Sequence, residues 1–360
     1  MIGDATYVIA EIGVNHDGNL AKALDLVEAV AATGADAVKI QTFTAESLVS
    51  ARAPKAGYQL LTTPANESQF DMLRGLELSR DEHRVIKDAA RGRGLDFLST
   101  PYDRESLDFL VNDLGVERVK VASSDLTNLP LLLAVGRHRR RVILSTGMGT
   151  INEIRRAIAV IAFGAATTAG IPTRDTIDGA PNSLAREFLT SSLILLQCTS
   201  EYPAPLAEAN LLAMVAMRES FGVRVGYSDH TLGTTAAIMS VALGSVVYER
   251  HFTLDSTAPG PDHRASMEPA EFTALVALIR QAESAKGTGT KEPSASEVEN
   301  RFSMRKSLFA AHDIAQGQTI EDSDITLMRP EWGDLPEHYW AWQGRTASRS
   351  YSAGDPLVFG

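Results

Sequence analysis

Read along its apolar and polar positions, the chain alternates between two periods. Short, nearly continuous apolar runs recur at 7–12, 37–41, 96–100, 118–121, 142–146, 193–197, 224–228 and 246–251. Runs of this length predict strands buried on both faces. Between them lie stretches with the spacing of amphipathic helices, at 20–32, 80–90, 104–114, 151–162, 211–221 and 234–243, and another follows the last strand at 269–286. A helix between two strands returns the chain to start the next strand in the same direction, so the sheet is parallel. Eight such units with no unpaired edge give a (β/α)8 barrel, the α/β class of the TIM barrel. The competing open, doubly wound sheet is disfavoured, because no glycine-rich dinucleotide turn follows the first strand.

Two segments break the rhythm. Residues 164–186, rich in Ala, Thr, Gly and Pro, show no period and predict an inserted loop on the N-terminal face of the barrel. Residues 43–70 predict a long loop on the opposite face, where barrel enzymes place their sites, as a lid or a partner contact. The barrel is expected over 1–285. Past Lys286 the run Gly-Thr-Gly-Thr-Lys-Glu-Pro-Ser-Ala-Ser predicts a flexible connector over 286–300. The remainder, 301–360, carries short strands and turn signals in a unit too small to be firm alone.

Composition narrows the function classes. A chain of 360 residues that is 44% hydrophobic buries a large core, and its formal charge of -11 argues against nucleic acid or an anionic membrane as partner. No apolar run reaches membrane-spanning length, and no basic-then-apolar leader opens the sequence, which points to a cytoplasmic enzyme. The single cysteine, Cys198, excludes an internal disulfide and a cysteine-based zinc site; its apolar surroundings predict a buried structural thiol.

Polar residues gather where the predicted strands end. Strand one ends in Glu11 and runs into Asn15 and His16; strand two carries Lys39 and Gln41; strand three ends in Ser99 and Thr100. Lys120, Ser123 and Asp125 follow on strand four, Ser145 and Thr146 on strand five, and Ser200 and Tyr202 after strand six. Strand seven ends Ser228-Asp229-His230 and strand eight Glu249-Arg250-His251. His230 and His251 follow adjacent strands, so their imidazoles can converge on a divalent transition metal such as manganese. The bland alternative is a pair of histidines bonded to loop carbonyls. Asp229 and Glu249 read either as supports for those histidines or as loop anchors. Lys39 and Lys120 sit inside apolar strands, where an ammonium is seldom buried without an anion. They predict a grip on a phosphate or carboxylate, an ion pair to Glu11, or, less in keeping with a metal site, a Schiff base. Asp262, in Gly260-Pro261-Asp262-His263, either bonds a substrate hydroxyl or starts a turn.

The ordered set Glu11-Ile12-Gly13-Val14-Asn15-His16, Val38-Lys39-Ile40-Gln41-Thr42, Ser99-Thr100-Pro101, Ser145-Thr146-Gly147-Met148, Tyr227-Ser228-Asp229-His230-Thr231, Glu249-Arg250-His251-Phe252-Thr253 and Gly260-Pro261-Asp262-His263 closely resembles the sialic acid synthase family. The tail, through Arg305-Lys306-Ser307-Leu308, Ile314 to Gly317 and Met328-Arg329-Pro330, resembles that family's antifreeze-protein-like (SAF, β-clip) domain. The resemblance implies condensation of phosphoenolpyruvate with an open-chain N-acylamino sugar, N-acetylmannosamine or 2,4-diacetamido-2,4,6-trideoxymannose, to a nine-carbon 2-keto acid and phosphate. It implies a divalent metal, manganese with magnesium or cobalt as alternatives, on His230 and His251. Glu11, Lys39, Lys120 and His251 fall on catalytic positions. Thr100, Ser123, Ser145 and Ser228 join the lysines on the phosphoenolpyruvate, and Gln41, Asp125, Tyr202 and Asp262 face the sugar. Arg329 resembles an arginine that reaches the neighbouring subunit's site in a domain-swapped homodimer.

The chain departs from the family pattern at Gln197, Ser200 and Asp125, and in Arg329-Pro330-Glu331-Trp332-Gly333, which lacks a glycine directly after the proline. The segment Ala53-Pro54-Lys55-Ala56-Gly57-Tyr58-Gln59 and Asn128 resemble the neuraminate and legionaminate branches more than the pseudaminate branch. The alternatives are a pseudaminate synthase, another phosphoenolpyruvate-using or class II aldolase barrel, and a non-catalytic assembly protein built on the SAF module.

Overall fold

The eight apolar runs form strands β1 (Tyr7–Gly13), β2 (Ala37–Thr42), β3 (Asp96–Pro101), β4 (Arg118–Val121), β5 (Arg141–Ser145), β6 (Leu193–Cys198), β7 (Arg224–Asp229) and β8 (Val247–His251). The structure, a computed structural model, describes residues 5–64, 66–179 and 183–359. By internal contact the chain divides into Met1–Gly287 and Thr288–Gly360.

In the first unit all eight strands are parallel, in the order β3-β2-β1-β8-β7-β6-β5-β4. β1 pairs with β8, and β3 lies beside β4, so the sheet is a near-closed barrel. Every strand is followed by a helix before the next strand or the end of the unit: Leu20–Ala31, Arg80–Gly92, Arg104–Asp108 running on as Phe109–Asp113, Leu129–His138, Ile151–Ala166, Leu212–Phe221, Thr235–Ala242 and Pro269–Lys286. Helix starts are written locally: Ser79 with Glu82, and Thr150 with Glu153, form reciprocal capping boxes that satisfy otherwise orphaned amides.

The helix Leu129–His138 escapes the sequence reading. It contains Pro130 and Gly136 and no polar stripe, because it packs closely on Ile151–Ala166. A Cβ on Gly136 would lie 2.2 Å from the Ile161 carbonyl oxygen, and one on Gly164 would lie 2.5 Å from that of Leu133. Gly164 therefore serves a helix-to-helix contact and does not open a loop. The expected aperiodic insertion over 164–186 is corrected in the same way. The preceding helix runs to Ala166, and further helices occupy Arg174–Asp178 and Ser183–Ser192; residues 180–182 lie outside the described residues. The 43–70 segment likewise holds the short helices Ala45–Leu48 and Gln59–Leu61 and meets another at Gln69–Arg74.

Side-chain alternation along the strands builds two cores. Val8, Ala10 and Ile12 face outward into the sheet–helix core, whereas Ile9, Ala37, Leu98, Ile143, Ile194, Leu196 and Val247 fill the barrel as a hydrocarbon plug. Two residues further along the strands the inward positions become polar: Glu11 from Ile9, Lys39 from Ala37, Thr100 from Leu98, Ser145 from Ile143 and Glu249 from Val247. The plug gives these groups a dry floor.

The same parity sends Asp229 and Arg250 outward. Arg250 Nη1 lies 3.2 Å from Asp229 Oδ2, both fully buried. Asp229 also accepts from Thr231 N and Oγ1 at 2.8 Å and from Tyr248 OH at 2.7 Å. Asp229 is thus an anchor for the turn that carries His230. Arg250→Met leaves this carboxylate buried without its cation and is expected to cost about 3–5 kcal/mol of unfolding free energy. A urea titration that shows less than about 1 kcal/mol would remove the pair from the accounts of barrel stability.

The second unit has its own small core of Leu308, Ala310, Ile314, Ile320, Ile325, Trp342, Ala347, Tyr351 and Leu357. β9 (Ser307–Ala310) and β10 (Ile325–Met328) pair antiparallel, with Ile325 opposite Ala310, and Trp342 stacks on Phe359 at 4.8 Å. The expected connector over 286–300 is in part ordered: a helix spans Ala295–Met304, started by a capping box of Ser294 and Glu297. Among the described residues no helix is long and apolar enough to cross a membrane.

Candidate active site

Above the hydrocarbon plug lies a cavity of about 420 Å³ whose wall includes Glu11, Lys39, Gln41, Thr100, Lys120, Ser123, Ser145, Tyr202, Ser228, His230, His251 and Asp262. Each was expected at the site from sequence, and the strand ends bring them to one place. That volume suits a small organic substrate or two.

Four buried charges make the floor. Lys39 Nζ is 2.5 Å from Glu11 Oε2 and 3.7 Å from Glu249 Oε2, and Lys120 Nζ is 3.3 Å from Glu249 Oε1. Glu249 also accepts from Ser228 Oγ at 2.9 Å, and Lys39 donates to Thr100 Oγ1 at 3.2 Å. The two lysines therefore do pair with carboxylates, and they also face open space. Their environments push the two carboxyls apart. Burial raises both, but for Glu249 the two ammonium groups prevail and bring it down to about 2. For Glu11 burial prevails over Lys39 and holds the carboxyl above its ordinary value. Two neighbouring carboxyls so separated divide the work: Glu249 stays an anion, and Glu11 is the one able to carry a proton. Burial pushes the Lys120 ammonium down, which its Glu249 partner offsets only in part.

Glu11 is set by the end of β1. The register against β2 slips between Glu11 and Gly13, and Gly13 has φ +39°. A Cβ there would lie 2.8 Å from Glu11 Oε1 and 3.1 Å from Gln41 Nε2, so glycine leaves room for the carboxylate. Gln41 Nε2 donates to Glu11 Oε1 at 3.2 Å, and Tyr102 OH donates to Gln41 Oε1 at 3.3 Å.

The histidines form the other side. The rings of His230 and His251 are 5.4 Å apart between centroids, and Tyr202 packs at 4.0 Å from the first and 5.6 Å from the second. His230 Nδ1 donates to the Thr199 carbonyl at 2.7 Å, which fixes the tautomer and leaves the Nε2 lone pair free. His251 Nδ1 is buried without a hydrogen-bond partner, 3.6 Å from Asp262 Oδ2. Burial, followed by the charges of His230 and Lys39, holds His251 well below the usual imidazole range, hence neutral. Burial and then Glu11 raise Asp262 to about 6.

Among the described residues no group of three or more His, Cys, Asp and Glu side chains is placed to hold a metal. Burial lowers His230, but its neighbour Cys198, with the Thr199 carbonyl, outweighs it and raises His230 above the usual imidazole value. Two converging imidazoles are nevertheless a fit donor pair for a divalent ion whose other positions are filled by water and substrate, and a cation there favours their deprotonated form. The orphaned His251 nitrogen is what such an ion would satisfy.

One expected residue of the barrel stands elsewhere. Asp125 does not line the cavity: the short helix Ser123–Asp125 sets it back, where Oδ1 accepts from Asn128 Nδ2 at 2.8 Å. Arg329 is exposed, directly after β10 in the second unit. Asn15 and His16 are structural, Asn15 tying β1 to the Phe252 carbonyl and Ser266, and His16 accepting from Gly18 N. Conversely, the sequence singles out neither Tyr102 nor Tyr58 for the site, and it offers Glu249 as a support for the histidines or a loop anchor, not as the partner of both lysines. Parity with His251 was the available signal for Glu249, and adjacency to Thr100 the signal for Tyr102. Tyr58, in a segment with no period, had none.

The NeuB family profile matches residues 26–291 and the SAF domain profile residues 305–359. The chain is similar to the N,N'-diacetyllegionaminic acid synthase of Campylobacter jejuni, 42% identical over 98% of both chains. It is similar also to that of Legionella pneumophila, 40% identical over 98% of this chain and 93% of the other. A solved structure of N-acetylneuraminic acid (sialic acid) synthetase from Leptospira borgpetersenii, in complex with citrate, superposes with TM-score 0.68 at 29% identity, over 82% of this chain and 90% of that one. Ordered motifs, barrel, converging site and tail agree: the chain belongs to the NeuB family and carries a SAF domain at its C-terminus.

Proposed function

We propose that this chain condenses phosphoenolpyruvate with an open-chain N-acylamino sugar to give a nine-carbon 2-keto acid and phosphate, with 2,4-diacetamido-2,4,6-trideoxymannose as the sugar and N,N'-diacetyllegionaminic acid as the product. The observation that carries this reading is the buried Lys39–Glu249–Lys120 array at one side of a cavity whose other side holds the converging His230 and His251.

Each group has a task set by its chemistry. The ammonium groups of Lys39 and Lys120, with the hydroxyls of Thr100, Ser123, Ser145 and Ser228, hold the phosphate and carboxylate of phosphoenolpyruvate where charge shifts during reaction. Carbon three of that substrate forms the new bond to the aldehyde carbon with the electron pair of its double bond, while the carbonyl π pair moves to the aldehyde oxygen, which takes up a proton to become a hydroxyl. Water then adds to the cationic carbon two, and the tetrahedral product of that addition expels phosphate. Glu11, whose carboxyl burial holds above its ordinary value, takes or supplies the proton beside these carbons. Gln41, Tyr202 and Asp262 bond the sugar.

His230 and His251 are assigned a divalent ion, manganese first, which as a Lewis acid would polarise the sugar aldehyde. Arg329 of one protomer is assigned to the N-acyl group in the site of its partner in a homodimer, and the reaction to the cytoplasm, where phosphoenolpyruvate is available.

The test is phosphate release from phosphoenolpyruvate by the purified chain with manganese, across a sugar panel. Release is expected with 2,4-diacetamido-2,4,6-trideoxymannose. No release with any acylamino sugar, or release with a four- or five-carbon aldose phosphate instead, sinks the reading.

A further inference from the structure

The cavity has two chemically different ends. Charge and hydroxyls line the barrel floor, but toward the segment after β2 the wall is mainly apolar, with Leu48, Val49, Tyr58, Met72 and Leu73, interrupted by the side chains of Gln59 and Gln69, which bond each other at 3.2 Å. Met72 belongs to a buried apolar cluster with Val14, Phe43 and Leu76, against which Leu48 and Leu73 pack. The wall is thus supported from behind. Tyr58 lies 4.9 Å from Tyr202 between ring centroids, and Tyr202 lies 4.0 Å from His230, so three rings lead from the metal-competent pair to this wall. The four aliphatic side chains offer no hydrogen bond, and the Tyr58 hydroxyl is engaged at 3.4 Å by Gln59 Nε2.

An open-chain sugar with its aldehyde carbon beside the histidines extends its far carbons away from the reacting centre. A hydroxyl pressed against hydrocarbon loses its water and gains no partner, whereas a methyl group gains from leaving water. Resting on the synthase reading above, we propose that this wall is the specificity determinant for carbon six. It favours a sugar with a methyl at carbon six over N-acetylmannosamine, which carries a hydroxyl there.

The experiment compares kcat/KM for 2,4-diacetamido-2,4,6-trideoxymannose and for N-acetylmannosamine in the wild-type chain, Val49→Ser and Leu73→Ser, with manganese and saturating phosphoenolpyruvate. An apolar pocket that meets an added hydroxyl discriminates by about 100-fold, and that ratio is the wild-type expectation. In either variant the ratio is expected to fall at least about tenfold, because a new hydroxyl partners the competitor, while KM for phosphoenolpyruvate stays put. Val49→Thr, which adds a hydroxyl at nearly constant volume, covers the case in which serine loosens the segment, and its ratio is expected to fall too. A ratio unchanged in Val49→Thr, both rates falling together in the serine variants, or a wild type that prefers N-acetylmannosamine overturns the proposal. Wild-type phosphate release with neither sugar is a different failure, that of the synthase reading itself.

Discussion

Lys39→Met is expected to reduce kcat/KM for phosphoenolpyruvate by about 10³-fold, the scale seen when one donor to developing charge is removed, and to destabilise the barrel at the same time. The lysine stands between two carboxylates, 2.5 Å from Glu11 and 3.7 Å from Glu249, with both partners buried. Methionine matches its length but leaves Glu11 with Gln41 as its hydrogen-bond partner and the Glu249 anion nearby. Breaking a buried pair in this way costs about 3–5 kcal/mol. The cost depends on pH in a direction that identifies its source. Burial already raises the Glu11 carboxyl, and Lys39 is the largest influence that lowers it. Without that ammonium the folded-state value rises further, while the unfolded chain titrates at about 4.3. A carboxyl whose folded value lies above its unfolded value makes the folded state the better proton binder, so stability falls as pH rises between the two. Urea midpoints should therefore differ from wild type most at pH 8 and least near pH 4–5. A deficit that does not vary with pH would show that the loss is packing alone, and activity within tenfold of wild type would take the lysine out of the substrate site.

The legible parts of this protein are those whose signal repeats locally. Strands and most helices announce their periods, and a lysine within an apolar strand, as at Lys39 and Lys120, marks a buried anion partner before any coordinates exist. What parity decides was half legible. Glu249 and Asp229 both sit at strand ends, yet one faces the lysines and the other binds Arg250 on the outside. Counting two residues back from His251 places Glu249 inside; nothing in composition does. Packing without amphipathicity was not legible. The helix Leu129–His138 is apolar on more than one side, and its glycine contact to Gly164 is a tertiary fact. The capping box at Ser294 and Glu297 was in the sequence, but the glycines and threonines before it read as connector. The apolar cavity wall around Tyr58 depends on how an aperiodic segment folds back over the barrel, which no spacing encodes.

His251→Ala is expected to weaken manganese binding at least about 100-fold, roughly 2.7 kcal/mol, measured by the electron paramagnetic resonance signal of free manganese in a titration of the purified chain. The expectation follows from how few protein donors the site offers. Among the described residues no third His, Cys, Asp or Glu joins the pair, so removal of one imidazole leaves a single side-chain ligand. His230 is already oriented by the Thr199 carbonyl, and its Nε2 remains as donor. His251 is held neutral by burial, with Nδ1 lacking a hydrogen-bond partner, so no proton need be displaced before it binds. Turnover with the acylamino sugar should fall with the metal affinity and recover in part as manganese is raised. Lys39→Met supplies the control, since it removes a charge from the same cavity but no imidazole, and its manganese titration should match wild type. Equal manganese affinity in His251→Ala and wild type would mean that the two rings hold no ion and only bond substrate directly. Weakened binding in Lys39→Met as well would mean that the ion depends on the whole charge array and not on the histidines.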